Sequence, residues 1–188
     1  RGRRPRTSCG VRARGAELRT GERLLAWGRD AQGLWVDTDS RRYRPGSAVF
    51  CLGAWLPGVL PAPRLHVTRQ VLHWFAADDP GAYGEDRFPI FIWNWGPGEG
   101  EVYYGFPDLG GGVKVATEGH AVCDPDAVGR EVTAAEIDTM YQRHVRGRLR
   151  GVQPRSLRAA TCLYTEAPGA RFWIERVEQG PIVVSACS

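Results

Sequence analysis

The sequence predicts an α+β protein, mainly antiparallel sheet with one flanking helix, preceded by a small β-meander. Three observations carry this. Short apolar or alternating runs, separated by Gly, Pro and Asp turns, recur along most of the 188 residues. One helix start stands out, Thr133-Ala134-Ala135-Glu136, in which threonine and glutamate can each satisfy the other's free backbone donor. Pro57, Pro61 and Pro63 interrupt the chain and set a boundary near position 62.

The elements follow in order. Leu24, Leu25 and Trp27 precede the turn Asp30-Ala31-Gln32-Gly33, and Leu34, Trp35 and Val36 follow it, giving a hairpin of short strands. The apolar run Ser47 to Leu52 reads as a buried strand that leads into Gly53-Ala54-Trp55, where glycine permits close approach of backbone to a ligand. Beyond the prolines, strands are expected at Leu65 to Phe75, Ile90 to Trp95, Val102 to Phe106 and Val113 to Thr117, with Gly96-Pro97-Gly98 turning the middle pair. A helix is expected over about 134–147, then strands at Ala159 to Thr165, Phe172 to Glu175 and Ile182 to Ala186.

Composition narrows the function classes. With 43% hydrophobic residues and seven tryptophans, the chain can bury a sizeable core. No run of about 18 uncharged apolar residues exists, and the arginine-rich start has no apolar stretch behind it, so neither a membrane span nor a secretory signal is expected and cytoplasm is the default. Five cysteines at irregular spacing contain no CxxC pair, which predicts reduced thiols and no metal site. The net charge of +4 comes from interleaved acids and bases. Only the N-terminal cluster and Arg143 to Arg158 concentrate arginine, without the aromatics of a stacking platform, so nucleic acid is not an expected partner.

Among 25 basic residues one is a lysine, Lys114. Arginine forks onto carboxylates and stays charged, whereas lysine is a compact ammonium, so a single lysine is either a composition accident or a small cation placed for a purpose. On the strand Ala160 to Thr165, the period of two puts Cys162 and Tyr164 on one face, as a core pair or as paired functional groups.

Taken in order, Tyr103-Tyr104-Gly105-Phe106-Pro107, Gly111-Gly112-Val113-Lys114-Val115 and Thr161-Cys162-Leu163-Tyr164-Thr165 resemble the monomeric sarcosine oxidase and N-methylamino-acid oxidase family of FAD-dependent oxidoreductases. The resemblance reaches upstream to Cys51-Leu52-Gly53-Ala54-Trp55 and Arg69-Gln70, and downstream to Ser185-Ala186-Cys187-Ser188, so it covers about residues 16–188. It implies oxidation of a secondary or N-methyl amino acid and reduction of dioxygen to hydrogen peroxide. Residues 1–62 would be a remnant of a Rossmann-like FAD domain and 63–188 the substrate domain.

By the same resemblance, Lys114 stands for the lysine beside the flavin that activates dioxygen, and Cys162 for the cysteine whose sulfur bonds to the flavin. Tyr104 and Tyr164 would line the amine pocket, and Gly53, Ala54 and Trp55 would lie beside the dinucleotide. The implied partners are a small-molecule amine and dioxygen, with no membrane and at most weak self-association.

The chain also departs from the family. No GxGxxG turn occurs in it, and the sequence stops before a Gly-His-Gly-Phe-Lys run, so the family is expected to be incomplete here at both ends. Glu118 stands where close sarcosine oxidases place a histidine, and could pair with a substrate ammonium or neutralise Lys114. Two rival readings remain: a non-catalytic fragment without flavin, and a small-molecule or glycan binder using its tryptophans.

Overall fold

The computed structural model describes residues 14–60, 65–98, 100–117, 121–169 and 171–185. The chain divides into two compact units, one of residues 1–50 and 175–183, the other of residues 51–174 and 184–188. Among the described residues no helix is long and apolar enough to cross a membrane.

In the first unit, β1 (Leu24–Asp30), β2 (Gly33–Thr38) and β3 (Arg42–Tyr43) form an antiparallel meander. Gly33 at φ 111° takes a conformation that L side chains rarely adopt, and the Asp30 carboxylate accepts from the Gln32 N–H at 2.9 Å, which together close the expected hairpin. The run Ser47 to Leu52 yields only the two-residue β4 (Val49–Phe50), with Val49 exposed and Phe50 buried. Near the far end of the chain, β10 (Trp173–Arg176) and β11 (Ile182–Ser185) extend β4 into a three-stranded sheet in which β11 runs parallel to β4.

The second unit is built on a five-stranded antiparallel sheet of order β6-β7-β8-β5-β9. Its strands are β5 (His66–Ala77), β6 (Phe91–Asn94), β7 (Val102–Phe106), β8 (Val113–Thr117) and β9 (Val152–Glu166). The β6–β7 hairpin turns at Gly96–Gly98 as expected. The β7–β8 turn is tied by Asp108, whose carboxylate accepts from the N–H groups of Gly110, Gly111 and Gly112 at 2.7, 2.9 and 2.9 Å.

β5 is buried on both faces, with Thr68, Gln70 and Ala76 on one, and with Val67, Val71, His73 and Phe75 on the other, which carries the only α-helix among the described residues, α1 (Ala134–Met140). That face carries the core of Phe75, Tyr103, Val113, Val115, Met140, Val145, Leu149 and Val152. Each fully buried large apolar side chain contributes about 1.5–3 kcal/mol relative to exposure. An aromatic run from Tyr83 through Phe88 and Phe91 to Tyr103, with ring centroids 4.7, 5.5 and 5.4 Å apart, closes its β6 end. His73 and His144 lie in this core, while His66 is exposed.

The helix begins on the predicted capping box. The Thr133 hydroxyl oxygen accepts from the Glu136 N–H at 3.2 Å, and the Glu136 carboxylate accepts from the Thr133 N–H at 2.8 Å. It ends earlier than expected, in a π-turn over Tyr141–Val145. Arg69 anchors this helix to β5, donating to the Glu136 carboxylate at 2.5 Å and to the carbonyls of Gly129 and Glu131 at 2.9 and 2.7 Å.

Candidate active site

Residues directly opposite one another in an antiparallel ladder share a face, so the register sorts every side chain of the five-stranded sheet. One cross-strand row runs Phe106, Lys114, Trp74, Arg158 through β7, β8, β5 and β9. The next row is Tyr104, Ala116, Leu72, Ala160. Further along, Gln70 stands opposite Cys162, and Thr68 opposite Tyr164. Lys114, Tyr104, Cys162 and Tyr164, picked out from separate segments of the sequence, therefore lie on one face of one sheet, the face turned away from α1.

That face is half-open at Lys114, Tyr104 and Phe106, while Ala116, Gln70 and Thr68 on it are buried. On β8, Val113 and Val115 are fully buried toward the helix while Lys114 is half-exposed, and on β7 Tyr103 is buried while Tyr104 and Phe106 are half-exposed. Tyr104 and Tyr164 reach across the two intervening strands and meet with their phenol oxygens 3.1 Å apart, one donating to the other. Beneath them the floor is low, since Ala116 is fully buried and Ala160 is equally small.

The Lys114 ammonium lies 4.4 Å from the Phe106 ring centroid and 5.5 Å from that of Trp74, inside the range of cation–π attraction. Among the described residues no carboxylate stands within 4.0 Å of it. Cys162 is a half-buried free thiol whose sulfur lies 3.7 Å from the Leu163 carbonyl oxygen. Two strand spacings and four residues separate its Cα from that of Lys114, roughly 16 Å, so neither side chain touches the other and the low floor extends between them.

The remaining expected residues fall elsewhere. Glu118 lies outside the described residues. Gly53, Ala54 and Trp55 sit in a 3-10 turn, Gly53–Gly58, that packs against β9 rather than continuing a strand. Gly53 takes φ 54°, Ala54 is buried, and the exposed Trp55 donates from Nε1 to Asp126 at 2.8 Å. Sequence reasoning missed Trp74, Phe106 and Arg158. Their signal was partial: strand alternation gives each a face, but only the pairing register brings them beside Lys114. Among the described residues no cluster of His, Cys, Asp and Glu could hold a metal ion.

The fold is that of amino acid oxidases. NikD, an unusual amino acid oxidase essential for nikkomycin biosynthesis, superimposes with a TM-score of 0.74 at 22% identity, covering 94% of this chain and 49% of that one. Glycine oxidase from Geobacillus kaustophilus superimposes with a TM-score of 0.66 at 16% identity, covering 90% of this chain and 44% of its own.

Sequence comparison narrows the class. Monomeric sarcosine oxidase of Streptomyces avermitilis is 34% identical over 181 residues, 92% of this chain and 46% of the relative. N-methyl-L-tryptophan oxidase of Escherichia coli K12 is 28% identical over 152 residues, 78% of this chain and 39% of the relative. No family model matches. The chain is a homologue of the monomeric sarcosine oxidases and N-methyl-L-tryptophan oxidases, and it spans about half the length of these relatives.

Proposed function

We propose that this chain is the substrate-binding half, with part of the cofactor half, of a flavin-dependent oxidase acting on a secondary or N-methyl amino acid. The observation that carries the reading is the convergence of Lys114, Tyr104, Tyr164 and Cys162 on one half-open sheet face.

The face suits a flat ring system. Its floor is Ala116, Leu72 and Ala160, with a cation at one side and a free thiol farther along. FAD, when bound, supplies the two-electron acceptor; Cys162 is the thiol available for covalent attachment. The amine loses two electrons and two protons to become an imine, and dioxygen takes both pairs to become hydrogen peroxide.

Within that chemistry the chain's own residues have separate tasks. The paired phenols of Tyr104 and Tyr164 form an aromatic wall against a substrate carrying methyl groups and a cationic nitrogen. Lys114 stabilises the negative charge that arrives on dioxygen, an interaction stronger in the transition state than in the neutral ground state. At ~4 Å and an effective dielectric constant near 20, one such pair is worth about 4 kcal/mol, on the order of a thousandfold in rate. Gly53, Ala54 and Trp55 would contact the dinucleotide, and Glu118 would face the amine or Lys114.

Two measurements on the full-length protein test this. Flavin absorbance should remain with the acid-precipitated polypeptide and leave it in Cys162→Ala. In Lys114→Met, reaction of the reduced enzyme with dioxygen should slow on the order of a thousandfold while anaerobic reduction by the amine continues. A Lys114→Met enzyme that reoxidises as fast as the parent would overturn the assignment.

A further inference from the structure

One lysine in the chain, on a half-open face and with no carboxylate of the described residues within 4.0 Å, raises the question of what holds its flexible four-carbon stem in place. The row Phe106, Lys114, Trp74, Arg158 alternates ring and cation across four strands. It is the ammonium itself, and not only the stem, that meets the rings, at 4.4 and 5.5 Å from the two centroids. On the far side of Trp74, the Arg158 guanidinium carbon lies 4.6 Å from the indole centroid and pins that ring from β9.

We propose that Phe106 and Trp74 are positioning residues that clamp the Lys114 ammonium, with Arg158 steadying Trp74, so that the charge is fixed in place yet not neutralised. The physical case is a comparison of holders. A carboxylate would fix the ammonium more strongly, but its negative charge would cancel the field that the open face receives. A ring attracts the cation through its quadrupole and carries no net charge, so the field survives beyond the contact. Three of the four members sit in strand interiors, where backbone pairing sets the spacing between neighbours. The role in oxygen chemistry rests on the oxidase reading above; the clamp itself does not.

Reductive methylation of the full-length protein with 13C-formaldehyde labels its lysines and keeps their charge, and the Lys114 signal is the one absent from Lys114→Arg. In the full-length protein the Lys114 methyl resonances should lie upfield of free dimethyl-lysine through ring currents. Phe106→Leu and Trp74→Leu should move them toward the free position, and Phe106→Tyr and Trp74→Phe should keep them upfield. In rapid mixing, the Leu variants should react with dioxygen roughly tenfold more slowly, with amine reduction changed by less than about twofold.

Parent resonances at the free-lysine position refute the clamp without need of any variant. Leu variants that lose the upfield shift but reoxidise at the parental rate refute its role in oxygen chemistry. A full-length protein that takes up no flavin fails the oxidase reading instead, and the resonance positions still decide the clamp.

Discussion

A Cβ built on Gly105 would lie 2.5 Å from the Phe91 ring and 2.6 Å from the Lys114 carbonyl oxygen, closer than side-chain atoms come to such neighbours. Glycine is there because β6 lays an aromatic ring over β7 at this point, on the helix-facing side. Gly105→Ala should therefore destabilise the protein by about 1–3 kcal/mol through overpacking, read as a lower urea midpoint at unchanged slope. An unchanged midpoint would mean that the Phe91 ring moves aside freely. At this scale the sequence was legible where a residue type is rare or alternates. Lys114 stood out as the single lysine, and Cys162 and Tyr164 shared a face by period two. Trp74 and Phe106 did not stand out, because tryptophan and phenylalanine are ordinary in sheets and their adjacency to Lys114 depends on pairings between strands distant in sequence.

The short helix α1 depends on its start more than on its length, since seven residues are too few to be stable alone. Thr133→Ala removes the hydroxyl that accepts from the Glu136 N–H and should cost about 1 kcal/mol, with the loss visible in amide exchange of residues 134–140 before the sheet is affected. Equal loosening of β5 and α1 would instead show that they open together. The capping box was readable because its chemistry is local. Strands β7 and β8 match the expected bounds, β7 by alternating between a buried and a half-open face and β8 as a mostly buried β-branched run. The beginning of β9 was not readable. Val152 to Arg158 contains Pro154 and mostly exposed polar residues, which its place at a sheet edge and the register shifts opposite Trp74, Phe75 and Ala77 allow. The apolar run at Ser47 overstated β4, since two of its residues suffice to pair with β11.

Acid should weaken the whole second unit in two stages. Burial first, then the nearby Arg143 and Arg148 charges, hold His144 at about 4, below its ordinary 6.5. Between these values the unfolded chain binds a proton that the folded chain does not, so stability falls as pH drops from 6.5 to 4, by roughly 3 kcal/mol in total. Glu136 adds a later stage. Burial raises its pKa, but hydrogen bonds from Arg69 and Thr133 outweigh that and hold it at about 2, so its contribution is present above 4.5 and is lost as pH falls toward 2. His144→Leu should flatten the denaturant midpoint between pH 6.5 and 5 and leave the lower limb intact; a parental slope in that variant would assign the proton to another group.

The Asp108-capped glycine turn carries a consequence of its own. Gly112, at φ 97° and with the Phe75 carbonyl oxygen only 2.7 Å from where a Cβ would sit, delivers the chain into β8 in one fixed phase. Losing or gaining a single residue in that turn would slide the strand by half a pleat and swing the ammonium into the packed interior with the valines turned outward. Length changes there are tolerable only in even steps, so this loop acts as the parity bit of the molecule.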